Sequence, residues 1–211
     1  MRAIVKRPLS KNILAGLSIT LFVVSSVGLY KSVTPHYAVR SQILGTDSQK
    51  VSAGLPVSLI IPVLNIRTGI QYLGVTPDEK MDVPSNSTDV GWFVLGPRPG
   101  ENGNSVIAGH LDGKNGEVGV FSELNKLKGG DAILIEDDRG STIPFVVRES
   151  RIYDPGYADE IFAPSDSPQL NLVTCEGVWD KNTKSYTKRL VVFADINNKN
   201  IPVKYPETIE P

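Results

Sequence analysis

The sequence lacks an excess of either charge: 22 Lys and Arg stand against 23 Asp and Glu, for a net charge of −1. Aromatic residues make up only 7% of the chain, and no basic stripe with interleaved aromatics is present. These absences argue against a nucleic-acid partner. Internal repeats and low-complexity tracts are also missing. With 211 residues, 40% of them hydrophobic, the chain has room for one domain of ordinary size with a real core.

Cysteine is scarcer still, because Cys175 is the only one in the chain. It cannot form an intramolecular disulfide, so either the thiol is an inert core residue or its chemistry is used. There are only two histidines, His36 and His110.

Charge is absent from 18 residues near the N-terminus, Ile13 to Tyr30, after a flank that contains Arg2, Lys6, Arg7 and Lys11. An apolar run of this length is at the lower limit for a helix that crosses a bilayer, and it exceeds a usual signal-peptide core. It predicts a transmembrane signal anchor over 13–30; a cleaved signal peptide and a buried core helix are the alternatives. The basic flank predicts that residues 1–12 are cytoplasmic, so that the protein crosses the cell membrane once and the chain after the anchor is extracytoplasmic.

The remaining chain divides into a stalk over 31–55 and one β domain over 56–211, in which short apolar runs alternate with Pro, Gly, Asn and Asp. The turn formers Asp137-Asp138-Arg139-Gly140 predict a hairpin, and short helical pieces are predicted at Phe121–Leu127 and 158–162. Many strands with little helix favour a closed or nearly closed, mainly β barrel. The predicted strands are Ser58–Ile66, Ile70–Val75, Gly91–Leu95, Asn104–Leu111, Ala132–Glu136, Thr142–Tyr153, Leu170–Thr174 and Leu190–Ala194.

Three chemistry-bearing side chains are predicted at strand termini. His110 ends an apolar run and precedes Asp112, Cys175 ends a strand before a polar loop that starts at Glu176, and Arg189 opens the next strand. Each residue alone favours an ordinary structural role, since a lone Cys is most often simply buried. Together they supply what acyl transfer by a thiol requires: a nucleophile, a proton-handling partner and a group that stabilises the oxyanion.

The motifs around these residues resemble one family. Leu172-Val173-Thr174-Cys175 is similar to the Leu-x-Thr-Cys signature of sortases, Ala108 to Asp112 resembles the segment of the family's catalytic histidine, and Arg189 matches its arginine strand. The likeness covers most of Pro56–Ile196. The loop Cys175–Asp180, with Ser185-Tyr186 beyond it, most resembles class F sortases, although Glu176 stands where that class has Gly.

The resemblance implies a closed, antiparallel or mixed, eight-stranded sortase-like barrel that needs no cofactor. It implies that the Cys175 thiolate cleaves an LPxTG-like sorting signal between Thr and Gly through a thioacyl intermediate. His110 would protonate the leaving amine and deprotonate the incoming one, Arg189 would stabilise the oxyanion, and Thr174 would line the substrate groove. The partners implied are proteins with sorting signals and an amine acceptor such as a cell-wall precursor.

Several alternatives stay open. Asp112 either orients the loop of His110 or merely forms a turn before Gly113. A carboxylate at Glu176 would raise the thiol pKa or alter acceptor preference. A calcium site at Asp137-Asp138 and Glu149 is less favoured than a solvated hairpin, so no metal is predicted.

Two other functional classes compete with the sortase interpretation. An L,D-transpeptidase would place His and Cys in one short motif, whereas 65 positions separate His110 from Cys175 here. A non-catalytic, membrane-tethered binding module would differ in having an inert thiol, which alkylation would reveal.

Overall fold

The computed structural model describes residues 53–113, 116–156 and 159–198. In these ranges eight strands close into one barrel in the order β1-β2-β3-β4-β7-β8-β6-β5, which confirms the predicted mainly β barrel. The helical elements of this part are the short 3-10 turns Pro62–Leu64 and Leu124–Lys126. The strands are β1 Pro56–Ile61, β2 Ile66–Leu73, β3 Val90–Phe93, β4 Gly103–Gly109, β5 Ala132–Asp137, β6 Thr142–Tyr153, β7 Pro168–Asp180 and β8 Ser185–Ile196.

The barrel is mixed, because β2 pairs with β3 and β4 pairs with β7 in parallel, while the other neighbours are antiparallel. The β4–β7 register runs from Gly103 opposite Pro168 to Ala108 opposite Val173. Parallel strands end at the same edge of a sheet, so the residues that follow Ala108 and Val173 lie side by side.

Side chains of these strands alternate between the barrel interior and its outer face. Leu170 and Leu172 of β7 belong to the fully buried interior cluster. Val173 and the β8 residue Val191 belong to a second, smaller cluster on the outer face. This alternation fixes which residues near the strand ends point outward.

The connection between β6 and β7 covers part of that outer face. Its Ile161 packs into the outer cluster, and Phe162 meets Phe93 edge to face with ring centroids 5.3 Å apart. Two buried amides hold its backbone: Asn171 Nδ2 donates to the Ile161 carbonyl at 2.7 Å, and Asn104 Nδ2 donates to the Ala163 carbonyl at 2.6 Å. The connection is thereby fixed to β4 and β7, the strands that lead to His110 and Cys175.

Some local predictions are confirmed, such as the strand Thr142–Tyr153, and others are wrong. The hairpin at 137–140 is confirmed, because Glu136 pairs with Thr142 across it. The predicted strand Ser58–Ile66 is wrong as one unit: a 3-10 turn that starts at Pro62 and the left-handed Asn65 (φ 54°) reverse the chain between β1 and β2. The predicted helix over 121–127 reduces to turns and three residues of 3-10 helix.

Strands β7 and β8 extend further than predicted. The pairing continues past Cys175 because Gly177, at φ 85°, forms a bulge after which Trp179 lies opposite Tyr186. Both strands therefore form a long hairpin whose tip lies beyond the predicted strand ends.

The predicted anchor over 13–30 and most of the stalk lie outside the described residues. No helix within the described ranges is long and apolar enough to cross a bilayer. The last stalk residues, 53–55, are bound to the barrel: Gly54 N–H donates to Asp137 Oδ2 at 3.1 Å and Leu55 N–H to Asp138 Oδ1 at 2.8 Å.

Candidate active site

The structure brings His110, Cys175 and Arg189 into one row across β4, β7 and β8. Cys175 and Arg189 are direct cross-strand partners. His110 and Cys175 each stand two residues beyond the parallel pair Ala108 and Val173, and the bond from the Thr174 hydroxyl to the Gly109 carbonyl holds the two segments together one residue before them. Side chains alternate between the two faces along each strand, and all three residues occupy positions of the outward-facing set.

Cys175 lies within β7 and does not end it, which corrects the predicted strand boundary. The side chain is half-buried. Burial raises the pKa of the Cys175 thiol, the Arg189 charge opposes that rise, and the Asp112 carboxylate adds to it. In the free protein the thiol is therefore predominantly protonated at neutral pH.

His110 is held by its ring and by its backbone. A carbonyl oxygen only accepts, so Nε2 carries the hydrogen that it donates to the Pro84 carbonyl at 2.8 Å, and Nδ1 is left for proton exchange. The His110 carbonyl accepts the Phe121 N–H at 2.9 Å. A Cβ on Gly119 would lie 2.2 Å from the same carbonyl oxygen, so only glycine permits this close approach.

Thr174 joins the two strands just before the site. Its side chain is only 3% exposed, and its hydroxyl donates to the Gly109 carbonyl at 2.9 Å. This bond connects the residue before Cys175 to the residue before His110. The expected contact of Thr174 with substrate stays a prediction, and the structure adds a positioning contact to it.

Arg189 is the fifth residue of β8 and does not open the strand as predicted. Its Nη1 donates to the carbonyls of Tyr186 at 3.0 Å and Lys188 at 2.8 Å, and Nη2 donates to Ser185 Oγ at 3.1 Å. These bonds fix the guanidinium opposite the thiol. They leave the Nε hydrogen and a second Nη2 hydrogen for a ligand.

The sequence-based reasoning missed one contact of the site: the Tyr186 hydroxyl donates to Asp112 Oδ2. That bond is the main cause that raises the pKa of Tyr186 to about 12. The Glu176 carboxylate accepts a hydrogen bond from the N–H of Gly177 at 3.1 Å. The carboxylate that acts on the thiol pKa is Asp112, in place of the hypothesised Glu176.

The residues considered for calcium have protein partners. The Asp137 carboxylate accepts the backbone N–H groups of Gly54, Arg139 and Ser141, and Glu149 pairs with two neighbouring arginines. In the part of the chain that the structure describes, no group of three His, Cys, Asp or Glu side chains is arranged to hold a metal ion.

A thiol between an imidazole and a guanidinium on the outer face of an eight-stranded barrel offers the three groups that acyl transfer by a thiol requires. The family model described as "Sortase domain" matches residues 59–197. The chain belongs to the sortase family, whose members are cysteine transpeptidases that act on substrates with sorting signals.

Solved structures give the same fold. Sortase C-1 from Actinomyces oris is 22% identical with a TM-score of 0.54, over 67% of this chain and 74% of that one. Sortase A from Corynebacterium diphtheriae, a lid mutant, is 22% identical with a TM-score of 0.54, over 68% and 70%. A Sortase D5 transpeptidase from Clostridium perfringens is 25% identical with a TM-score of 0.52, over 67% and 78%. No curated protein sequence matches the chain.

Proposed function

We propose that this member of the sortase family is a membrane-anchored transpeptidase that cleaves an LPxTG-like signal between Thr and Gly. It would transfer the new acyl group to an amine, such as that of a cell-wall precursor, and so anchor surface proteins. The observation that supports this proposal most is the row of His110, Cys175 and Arg189 across three neighbouring strands. The membrane location rests on the apolar run at 13–30.

The first half-reaction forms the thioacyl bond. The Cys175 thiolate attacks the Thr carbonyl of the sorting signal, and the carbonyl oxygen takes up the electron pair as an oxyanion. The Nε hydrogen and the second Nη2 hydrogen of Arg189 stabilise that charge, which a guanidinium can do because it stays protonated and offers several donors. The C–N bond to Gly then breaks, and the leaving amine takes a proton from Nδ1 of the His110 imidazolium.

The second half-reaction reverses the proton path. The acceptor amine attacks the thioester carbonyl and gives its proton to His110 Nδ1. A new amide forms, the C–S bond breaks, and the Cys175 thiolate leaves. The thiolate, the imidazolium and the guanidinium with which the reaction began are regenerated, so no cofactor or oxidant is consumed.

The raised thiol pKa limits how the reaction begins. Since burial holds the Cys175 proton at neutral pH, only a small fraction of the free protein carries the Cys175 thiolate. Activity at neutral pH therefore depends on that fraction or on a substrate that displaces water and strengthens the attraction between the thiolate and the Arg189 charge.

The direct experiment incubates residues 53–211 with a library of LPxTG-like peptides and several amines, and identifies products by mass spectrometry. We expect cleavage between Thr and Gly and a new amide with one of the amines. Cys175→Ala should be inactive while it melts like the wild type. Cleavage by Cys175→Ala, or no cleavage of any peptide by folded wild type, would overturn the proposal.

The non-catalytic binding module is the second candidate. It is favoured only if iodoacetamide fails to modify Cys175 even at a pH above its raised pKa. Membership of class F rests on the loop Cys175–Asp180 and remains a proposal, which the preferred sorting motif would test. The membrane anchor is tested by fractionation of cells that express the full chain or a chain starting at residue 53.

A further inference from the structure

Tyr186 contacts two sides of the candidate site at once. Its hydroxyl donates to Asp112, which lies two residues beyond His110 on the loop after β4. Its backbone carbonyl accepts a hydrogen bond from Arg189 Nη1 at 3.0 Å. A single residue therefore connects the loop of the imidazole to the side chain of the guanidinium.

Both ends of this connection are fixed by their own surroundings. On β8, the Tyr186 ring packs edge to face on its cross-strand partner Trp179, with centroids 5.4 Å apart. On the loop, Asp112 forms an isolated antiparallel bridge with Val118, and Gly113 N–H donates to the Glu117 carbonyl at 2.7 Å. A hydrogen bond between two restrained groups constrains the distance between the elements that carry them.

We propose that Tyr186 is a positioning residue: through Asp112 and Arg189 it sets the spacing of the His110 loop and the arginine strand on either side of Cys175. The proposal rests on the function proposed above. Tyr186 itself does not touch the reacting atoms in this scheme.

The same hydroxyl also affects the electrostatics around the thiol. The Asp112 carboxylate disfavours the thiolate, and the Tyr186 O–H dipole, directed at that carboxylate, offsets part of its field. The titratable and charged groups next to Cys175 are His110 and Asp112 on the loop after β4, Glu176 on β7, and Tyr186, Lys188 and Arg189 on β8. Loss of the hydroxyl should therefore disfavour the thiolate, whereas loss of the Asp112 charge should favour it.

The test compares Tyr186→Phe with Tyr72→Phe. The phenylalanine at 186 keeps the ring and the backbone carbonyl and removes only the hydroxyl. Tyr72 is a matched control, because its ring also packs edge to face on a tryptophan, Trp92, with centroids 5.8 Å apart. Tyr186→Phe should lower kcat for the sorting peptide about tenfold with little change in KM, since a bond to a charged group is lost. Tyr72→Phe should leave both constants unchanged.

A second measurement does not need the substrate. The rate of Cys175 alkylation by iodoacetamide, followed against pH, should have its midpoint raised in Tyr186→Phe, which slows alkylation at pH 8 about two- to threefold. Asp112→Asn should lower the midpoint and accelerate alkylation by a similar factor. A general loosening of the loop would move both variants in the same direction.

The proposal is overturned if Tyr186→Phe alkylates and turns over like the wild type, or if both variants shift the alkylation midpoint in one direction. Failure of the proposed function has a different signature, because wild type would then cleave no peptide while the opposite alkylation shifts would persist. Thermal melts of each variant confirm that the folded protein is compared.

Discussion

Replacement of Gly109 by alanine should displace Phe121 and loosen the backbone that carries His110. A Cβ on Gly109 would lie 2.5 Å from Phe121 Cδ2 and 2.8 Å from its Cε2, closer than carbon atoms approach without a shift. Phe121 is fully buried, so its ring has no solvent into which it can move. Overpacking of this kind costs about 2 kcal/mol of unfolding free energy, which lowers Tm by about 4–8 °C.

The change is measured by urea and thermal unfolding of residues 53–211. Gly74→Ala is the matched control, because a Cβ there meets nothing within 4 Å. It should be neutral or stabilise by about 0.4–1 kcal/mol through the entropy of the unfolded chain. The alkylation profile of Cys175 reports whether the disturbance reaches the site.

A double-mutant cycle tests the cause. If the Phe121 ring is what the new methyl group strikes, a smaller side chain at this position should relieve the strain. Gly109→Ala with Phe121→Leu should then be more stable than the sum of the single changes predicts, by about 1 kcal/mol. Strict additivity, or a Gly109→Ala protein as stable as the wild type, would refute the reasoning.

Three further predictions concern other contacts. Thr174→Val removes the donor to the Gly109 carbonyl and should cost about 1–2 kcal/mol in urea unfolding; an unchanged midpoint would contradict a buried bond there. The folded protein keeps the Cys175 proton to a higher pH than the unfolded chain, whose thiol titrates near its usual 9.0. The free energy of unfolding should thus be unaffected by this group below that pH and fall as pH rises above it, and Cys175→Ala should lack this decline. If the free energies of unfolding of wild type and Cys175→Ala change in parallel with pH, the raised thiol pKa is contradicted. Asn171→Leu should free the Ile161 carbonyl and speed hydrogen exchange over 159–167 without unfolding the barrel, and unaltered exchange there would show that the amide does not hold the connection.

A mainly β barrel could be predicted because local patterns carry it, whereas its eight-stranded form and the roles of the three chemical side chains were implied by the resemblance of motifs. The acidic turn at 137–140 marks a hairpin by its own residues. Short apolar runs with turn formers between them exclude a helical fold. The order of His110, Cys175 and Arg189 along the chain needs only a resemblance of motifs.

The features of the site that could not be predicted depend on contacts between distant segments. The end of β7 was predicted too early and the start of β8 too late, because Gly177 and the polar residues after it look like a loop. A cross-strand pair, Trp179 with Tyr186, continues the ladder instead. The bond of His110 to the Pro84 carbonyl spans 26 residues and leaves no mark on the local sequence.

The bond from Tyr186 to Asp112 was missed for the same reason, since 74 residues separate the two. Part of its signal is present in the sequence, because the aromatic Tyr186 lies near Arg189 and the acidic Asp112 near His110. The sequence alone does not show which distant acidic residue a tyrosine meets.

The placement of β8 between β7 and β6 has a consequence for how the chain folds. Gly109 and Thr174 are 65 residues apart in the chain, so the entropy cost of closing this loop comes before the stabilisation from their contact. Such high contact order predicts slow, cooperative folding on a scale of about milliseconds to seconds. A nascent chain that ends before Ser185 has neither the strand that closes the barrel nor the arginine opposite the thiol. Cys175 therefore lacks its cross-strand partner Arg189 until β8 joins the barrel.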